Sequence, residues 1–382
     1  MKVKKSFIQS LVVTSGTVIN AVLGLAFYIL VAKKLGVEGF GQFSFVLGIG
    51  ILVAELGDLG INAAIIKFGA GENFGKIISL ATMARIIVFG IILGVLGGLG
   101  QLGAGGVAIG LLLAYFSTQS LLARQKYFWQ AGANILGNSL RLVLLLVTSL
   151  PALTVFFLGT LGTFVMGLPN ILGNIRKFSW DLGFAKEVWR FCLPTAGSYS
   201  LVSLSAKLDI PILYYFAGPA AVGLYSSVQK LTSVLAQIAG ALDNVFAPKF
   251  AAKEKGAFRE YLTLGIIGVI GIIGVIPLAG PLLSVAYGTK YLPAQTVLII
   301  FLISYLPFFL SGPFLGKILY YYGKAKWFLG ISIINSFISL MSLVVLGSLF
   351  KENGAAMALV ITNTATLIMY VFVHSLLANK DC

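Results

Sequence analysis

The chain has 382 residues, of which 58% are hydrophobic and only 10% are charged. A soluble domain carries roughly a quarter charged residues and could not bury so much apolar surface, so this composition excludes a soluble globular protein. The net charge of +15 fits a polytopic membrane protein, whose positive residues gather in cytoplasmic loops. The sequence contains no run of five basic residues, so it does not predict binding to nucleic acid.

Apolar runs of about 20 residues, the length that crosses a bilayer, recur between charges and glycine-rich turns. They predict an all-α polytopic membrane protein with about twelve transmembrane helices in two pseudo-symmetric six-helix bundles. The predicted spans lie near 7–32, 40–66, 76–99, 104–123, 127–149, 152–175, 191–216, 219–248, 260–287, 293–318, 326–349 and 354–378.

An internal repeat supports this division into halves. Residues 35–45 (LGVEGFGQFSF) recur in altered form at 217–227 (AGPAAVGLYSS), at an offset of 182. Residues identical at matching positions include Gly36 and Gly218, Gly41 and Gly223, and Ser44 and Ser226. Each copy predicts a glycine turn between two helices, because glycine accepts a positive φ without penalty. We therefore expect an N-terminal lobe over 1–177 and a C-terminal lobe over 191–382, joined by an amphipathic interfacial linker over 178–190.

The positive charges predict the orientation. With both termini cytoplasmic, 19 of the 27 Lys and Arg residues fall in cytoplasmic segments or at inner span ends, and four fall in outer loops. In a bacterial cell such a protein would be a multi-pass protein of the cytoplasmic (inner) membrane.

Charges inside spans are costly in lipid and are candidate functional residues by default. Eight are predicted, namely Glu55, Asp58, Arg85, Arg141, Lys207, Asp209, Lys230 and Asp243.

Asp58 and Arg85 are predicted to form an ion pair. Asp58 lies nine residues before Lys67 and Arg85 lies nine residues after Lys76, so both lie roughly 13 Å from the inner surface at 1.5 Å per residue. The pair either locks two helices together or exchanges partners during transport. Glu55, on the same helical face as Asp58, could be protonated or bind a cation.

The four cations in the spans suit an anionic ligand. A cavity lined by Arg85, Arg141, Lys207 and Lys230 would hold a phosphate or pyrophosphate, although the same cations could form separate buried ion pairs. There is no P-loop, metal-ligand spacing, nucleophile motif or large soluble loop, so the sequence predicts neither an enzyme nor a cofactor or metal site.

Three motifs resemble the opening of the polysaccharide-biosynthesis flippases, the O-antigen (Wzx-like) transporters. They are Ser15-Gly-Thr-Val-Ile-Asn20, the turn that begins at Leu35, and Glu55-Leu-Gly-Asp-Leu-Gly-Ile-Asn62. Lys207-Leu-Asp209, followed by residues 218–225, resembles the start of their second lobe. These flippases share a superfamily with the multidrug-and-toxin extruders and the lipid II flippases.

This resemblance implies two six-helix bundles around a cavity that opens alternately to either side. It implies export of a polyprenyl-pyrophosphate-linked oligosaccharide to the outer leaflet, with Arg85, Arg141, Lys207 and Lys230 as headgroup contacts. Glu55, Asp58 and Asp209 would be the H⁺- or Na⁺-coupling groups. A cation-coupled multidrug exporter and a membrane-embedded glycosyltransferase are the alternatives.

Overall fold

The computed structural model describes residues 2–69, 73–175 and 181–378, with residues 2–14, 175, 198–206 and 325 described as backbone only. The regular secondary structure in these ranges is helical, with short turns between the helices, and no strand occurs in them. The α-helices are α1 (Lys2–Gly57), α2 (Ile61–Phe68), α3 (Phe74–Gly98), α4 (Leu102–Ala123), α5 (Tyr127–Val147), α6 (Ala152–Ile175), α7 (Leu182–Lys207), α8 (Asp209–Ala251), α9 (Ala257–Val275), α10 (Ala279–Tyr287), α11 (Gln295–Gly316) and α12 (Ala325–Ala378).

The three longest helices are broken inside. The backbone leaves helical geometry at Gly36 in α1, at Gly218 in α8 and at Lys351 in α12. All three breaks fall in or next to predicted turns. Among the described residues, eight helical stretches are long and apolar enough to cross a membrane, and the two longest contain the breaks at Gly36 and Lys351. The all-helical membrane architecture is confirmed, while twelve spans in two bundles stay a prediction.

Several boundaries differ from those predicted. The second predicted span, 40–66, is interrupted because α1 ends at Gly57 and α2 begins at Ile61. The seventh, 191–216, is divided at Leu208, so Lys207 and Asp209 lie on different helices and not on one. A 3₁₀ turn at Ile276–Leu278 interrupts the ninth span. The turn contains Pro277, which lacks a backbone donor.

Helix α7 runs through the predicted junction between the linker and the following span. Asp181 caps its start, because the Phe184 amide donates to Asp181 Oδ1 over 3.0 Å. Lys76 Nζ donates to Asp181 Oδ2 over 2.9 Å. The Phe184 amide and Lys76 together lower the pKa of Asp181, so the carboxylate stabilises this junction above its ordinary pKa and the effect is lost in acid. Linker residues 178–180 lie outside the described residues.

The chain divides into two compact units. Unit 1 comprises Met1–Val31 and Val46–Lys207, and unit 2 comprises Ala32–Phe45 and Leu208–Cys382. The core of unit 1 includes Ile65, Phe74 and Ile78, which are almost fully buried. The lobe boundaries predicted from the sequence stay a prediction.

The two copies of the repeat share one backbone conformation and contact each other within unit 2. Gly36 has φ 71° and ψ −177°, and Gly218 has φ 78° and ψ −177°. After each break the next helix carries a glycine at a close approach. A Cβ on Gly41 would collide with the Pro219 carbonyl oxygen, and a Cβ on Gly223 would collide with the Val37 carbonyl oxygen.

This reciprocal contact is a consequence of the repeat itself, because Val37 and Pro219 occupy matching positions. We call the contact between residues 37–41 and 219–223 the glycine crossing. Small residues allow helix backbones in a membrane to approach closely, and Cα–H groups can then contact carbonyl oxygens.

We predict that Gly223→Ala destabilises the protein by about 1–3 kcal/mol, the usual cost of overpacking, because the new methyl group meets a rigid carbonyl. The melting temperature in detergent measures the effect. Gly94→Ala is the matched control, because a Cβ on Gly94 meets nothing within 4 Å. Equal melting temperatures for Gly223→Ala and the control would contradict the assigned role of the glycine crossing.

Candidate functional site

Three of the charged residues predicted within the spans of unit 1, namely Glu55, Asp58 and Arg85, lie around the break between α1 and α2. There Leu59 and Gly60 have positive φ values of 51° and 75°. Gly60 also lies against the Cys192 carbonyl, where a Cβ would clash. This break positions the Asp58 side chain between the two helices, and Asp58 Oδ2 accepts a long hydrogen bond of 3.4 Å from the Asn62 amide.

Asp58 forms the predicted ion pair with Arg85 of α3. Arg85 Nη2 lies 2.6 Å from Asp58 Oδ1 and donates to Asn62 Oδ1 over 3.0 Å. The Arg85 side chain is only 3% exposed, and that of Asp58 is 19% exposed. The ion pair is therefore confirmed. Arg85 Nε and Nη1 are buried and find no hydrogen-bond partner among the described residues.

The direct contacts of Arg141 of α5 are with neutral side chains. Its Nη1 donates to Asn138 Oδ1 over 2.7 Å, and Asn138 Nδ2 donates to Asn20 Oδ1 over 2.6 Å. Its guanidinium lies over the Phe156 ring, 4.0 Å from the centroid, which is the geometry of a cation–π contact. The ion pairs Lys76–Asp181, Asp58–Arg85 and Lys249–Glu260 do not include Arg141.

Glu55 and this arginine have a common neighbour, Tyr115. The Tyr115 hydroxyl of α4 is within electrostatic reach of both Glu55 and Arg141, and also of Tyr28. Glu55 Oε2 is buried without a hydrogen-bond partner in the described part of the chain. We call Asn20, Tyr28, Glu55, Tyr115, Asn138 and Arg141 the Arg141 cluster. It combines a buried cation, a carboxylate and neutral hydrogen-bonding groups.

Asp209 in unit 2 is buried, and its carboxylate accepts several hydrogen bonds. It accepts hydrogen bonds from the Tyr225 hydroxyl over 2.9 Å, from Gln229 Nε2 over 2.7 Å and from the Ile210 amide over 2.8 Å. These contacts join the start of α8 to its middle. All three donors lie on the same helix as the carboxylate, so Asp209 fixes the side chains of α8 around it.

The remaining predicted charges, Lys207, Lys230 and Asp243, are on α7 and α8, which contribute no residue to the Arg141 cluster. Lys207 is exposed in the last turn of α7, and Lys230 is half-buried on α8. Asp243 of α8 accepts a hydrogen bond of 2.6 Å from the Tyr261 hydroxyl of α9. Arg85 and Arg141 belong to unit 1 and Lys230 to unit 2, and a single cavity lined by all four predicted cations stays a prediction.

The neutral partners were not predicted from the sequence. Asn62 lies four residues after Asp58, and Asn138 lies three residues before Arg141, so helical spacing could have identified both. Tyr115 gave no such signal, because its contact depends on which helices are neighbours.

Two family models match the sequence, and both are described as polysaccharide biosynthesis proteins. One matches residues 8–99 and the other matches residues 133–296. The chain resembles polysaccharide-biosynthesis proteins. The resemblance predicted from its motifs is confirmed.

Curated relatives have similar descriptions. The capsular polysaccharide biosynthesis protein CapF of Staphylococcus aureus is 29% identical over 210 residues, which cover 53% of this chain and 51% of that protein. A putative O-antigen transporter of Escherichia coli (strain K12) is 28% identical over 189 residues, which cover 47% of this chain and 45% of that protein. The chain thus spans about half the length of the curated relatives it matches.

Solved structures of transporters share the fold. The lipid II flippase MurJ in an inward closed conformation aligns with a TM-score of 0.76 at 15% identity, covering 95% of this chain and 87% of that one. An inward-facing multidrug resistance MATE family transporter of the MOP superfamily aligns with a TM-score of 0.69 at 17% identity, covering 94% of each chain. At such low identity the likeness establishes the fold alone. The chain is a multi-pass membrane protein with this fold.

We predict that Arg85→Gln destabilises the protein by about 3–5 kcal/mol, because it leaves the Asp58 carboxylate buried without its cation. The double variant Asp58→Asn/Arg85→Gln should lose less than the sum of the two single variants. A double-mutant cycle of melting temperatures measures the coupling.

Lys76→Gln is the control for this cycle. Its pair with Asp181 is 35% and 41% exposed, and exposed pairs contribute little to stability. Additive effects of the Asp58 and Arg85 substitutions would show that the buried pair is not coupled.

Proposed function

We propose that this chain is a flippase that moves a polyprenyl-pyrophosphate-linked oligosaccharide from the cytoplasmic to the outer leaflet by alternating access. It would act in the cytoplasmic membrane, with both termini in the cytoplasm, as a transporter and not as an enzyme. The relatives described as capsular polysaccharide and O-antigen proteins support the glycan, and the likeness to a lipid II flippase supports the mode of transport.

The neutrality of the direct contacts of the Arg141 side chain is the observation that carries the proposal. Its guanidinium is held by Asn138 and by the Phe156 ring. Because these partners are neutral, they orient the cation without cancelling its charge. A planar guanidinium with donors to spare suits the oxygens of a pyrophosphate. Arg85, by contrast, is already paired with Asp58, which favours a structural role for that arginine.

Glu55 is the favoured coupling residue in this proposal. Asp58 is engaged by Arg85 and Asp209 by three donors, whereas Glu55 Oε2 has no hydrogen-bond partner among the described residues. A carboxylate in this state can take up a proton or a Na⁺ ion, which would change the net charge of the Arg141 cluster. Binding or release of the anionic headgroup would then depend on the occupancy of Glu55.

A cation-coupled multidrug exporter is the second candidate. The likeness to a MATE family transporter favours it, as does the Glu55 oxygen that has no hydrogen-bond partner within the described ranges, because a carboxylate can bind a cationic drug. Its cationic ligand would bind the Glu55 carboxylate, whereas a pyrophosphate would pair with Arg141.

The decisive experiment follows the lipid-linked glycan in cells depleted of this protein. The flippase proposal expects the glycan to accumulate on the cytoplasmic leaflet, where a membrane-impermeant reagent added to spheroplasts cannot modify it. The intact chain should restore modification. A normal glycan distribution, together with new sensitivity to lipophilic cations, would favour the drug exporter.

We predict that Arg141→Gln lowers transport by at least about tenfold, the effect of losing roughly 1.4 kcal/mol of interaction. The amount of protein in the membrane should not change, because Gln retains hydrogen bonding to Asn138. Lys255→Gln is the matched control, since Lys255 is an exposed cation in the turn between α8 and α9. A variant with full transport would refute the role of Arg141.

We further predict that Glu55→Gln, which mimics a protonated carboxyl group, makes any residual transport insensitive to collapse of the ion gradients. The measurement is glycan export with and without a proton or Na⁺ ionophore. Asp243→Asn is the comparison, because Asp243 is hydrogen-bonded to Tyr261. Unchanged ionophore sensitivity in Glu55→Gln would remove Glu55 from the coupling step.

A further inference from the structure

A polar cleft of about 520 Å³ opens in unit 1 where α4, α5 and α6 end or begin. It is lined by Arg124, Lys126, Pro169, Asn170 and Asn174. None of these residues was predicted as a site from the sequence, and the proposed transport mechanism does not use them. We propose that this cleft binds the phosphate group of an anionic phospholipid headgroup.

The turn between α4 and α5 presents the two cations. Gln125 has a positive φ of 56°, and the turn is closed by the Gln125 amide donating to Leu122 O over 2.8 Å. The Lys126 amide donates to Leu121 O over 2.9 Å. Arg124 and Lys126, on either side of Gln125, are thereby held at the rim of the cleft.

Each cation is oriented by a neutral partner. Arg124 lies over the Phe74 ring, 4.3 Å from the centroid, which leaves its guanidinium edge available for a planar anion. Lys126 Nζ donates to Asn170 Oδ1 over 3.1 Å, and an ammonium group has two further hydrogens to donate.

The amides are also fixed. Asn170 Nδ2 donates to the Ser120 carbonyl over 3.2 Å, and Asn174 Nδ2 donates to the Asn170 carbonyl over 2.7 Å. The cations and the amides that line the cleft are thus all held in fixed orientations. A favourable interaction of the cations with the dipole of α4 would not require these oriented amides.

No carboxylate is among the described residues that line the cleft. Two other cations near helix ends, Lys76 and Lys249, have the carboxylate partners Asp181 and Glu260. The cleft therefore keeps two positive charges where an anion can reach them.

Aromatic residues indicate the depth of the cleft in the membrane. The side chains of Phe128 and Trp129, two and three residues after Lys126, are 74% and 54% exposed. Exposed aromatic residues gather at the membrane–water interface, at the level of the lipid headgroups. Basic pockets between helix ends on the cytoplasmic side are the kind of site that binds phosphorylated headgroups.

Native mass spectrometry of the full-length protein in detergent tests the proposal, with phosphatidylglycerol and phosphatidylcholine of the same acyl chains as probes. The intact protein should retain phosphatidylglycerol in preference to phosphatidylcholine. Arg124→Gln/Lys126→Gln should bind phosphatidylglycerol at least about tenfold more weakly. Lys255→Gln/Lys324→Gln is the control, because it removes the same charge from exposed positions elsewhere.

Asn174→Leu keeps both cations and tests the cleft itself. It should reduce phosphatidylglycerol binding, whereas a site made only of surface charge would not respond. Millimolar inorganic phosphate distinguishes the two sources of the phosphate group. Displacement of the lipid by phosphate would assign the cleft to free phosphate, and retention of the lipid would assign it to the headgroup.

Two results would overturn the proposal. One is equal retention of both lipids by the intact protein. The other is a normal preference for phosphatidylglycerol in both the Arg124→Gln/Lys126→Gln and the Asn174→Leu variants. Because glycan export is not the readout, failure here would leave the proposed transport function untouched.

Discussion

The absence of water in the hydrocarbon core is the constraint on which this structure depends. Lipid offers no hydrogen bonds, so the backbone is helical and every buried charge must find its partner within the protein. In unit 1 the chain meets this requirement in two ways. Arg85 is neutralised by Asp58, whereas the direct contacts of Arg141 are an amide and an aromatic ring, which leave its charge intact. The first arrangement stabilises the fold, and the second preserves the ability to bind an anion.

Much of the helical architecture could be predicted, because apolar length and charge position are local properties of the sequence. The Asp58–Arg85 pair was predictable because both residues lie nine positions from a cation at a span end. The helix break at Leu59 was not predicted, although the Gly57-Asp-Leu-Gly60 sequence is rich in turn residues. Reading residues 55–62 as part of one span followed from their apolar surroundings.

The candidate site was less predictable than the fold. Charges are rare in the spans and easily found, but their neutral partners are common residues whose roles depend on which helices are neighbours. Tyr225 is an example, since it lies 16 residues from Asp209 and contacts it. The repeat was likewise visible as an offset of 182, but the sequence did not show that its two copies contact each other at Gly41 and Gly223.

The glycine crossing has a consequence for how the protein is made. The segment Ala32–Phe45 is flanked by unit 1 in the sequence but belongs to unit 2. Its partner residues 219–223 leave the ribosome 182 residues later, which is roughly 10–40 s at bacterial and eukaryotic rates of synthesis. During that interval the close-packing surface of Gly41 has no native partner. The first half of the chain is therefore synthesised before residues 37–41 can contact residues 219–223. Until then, lipid or the insertion machinery must cover the surface around Gly41.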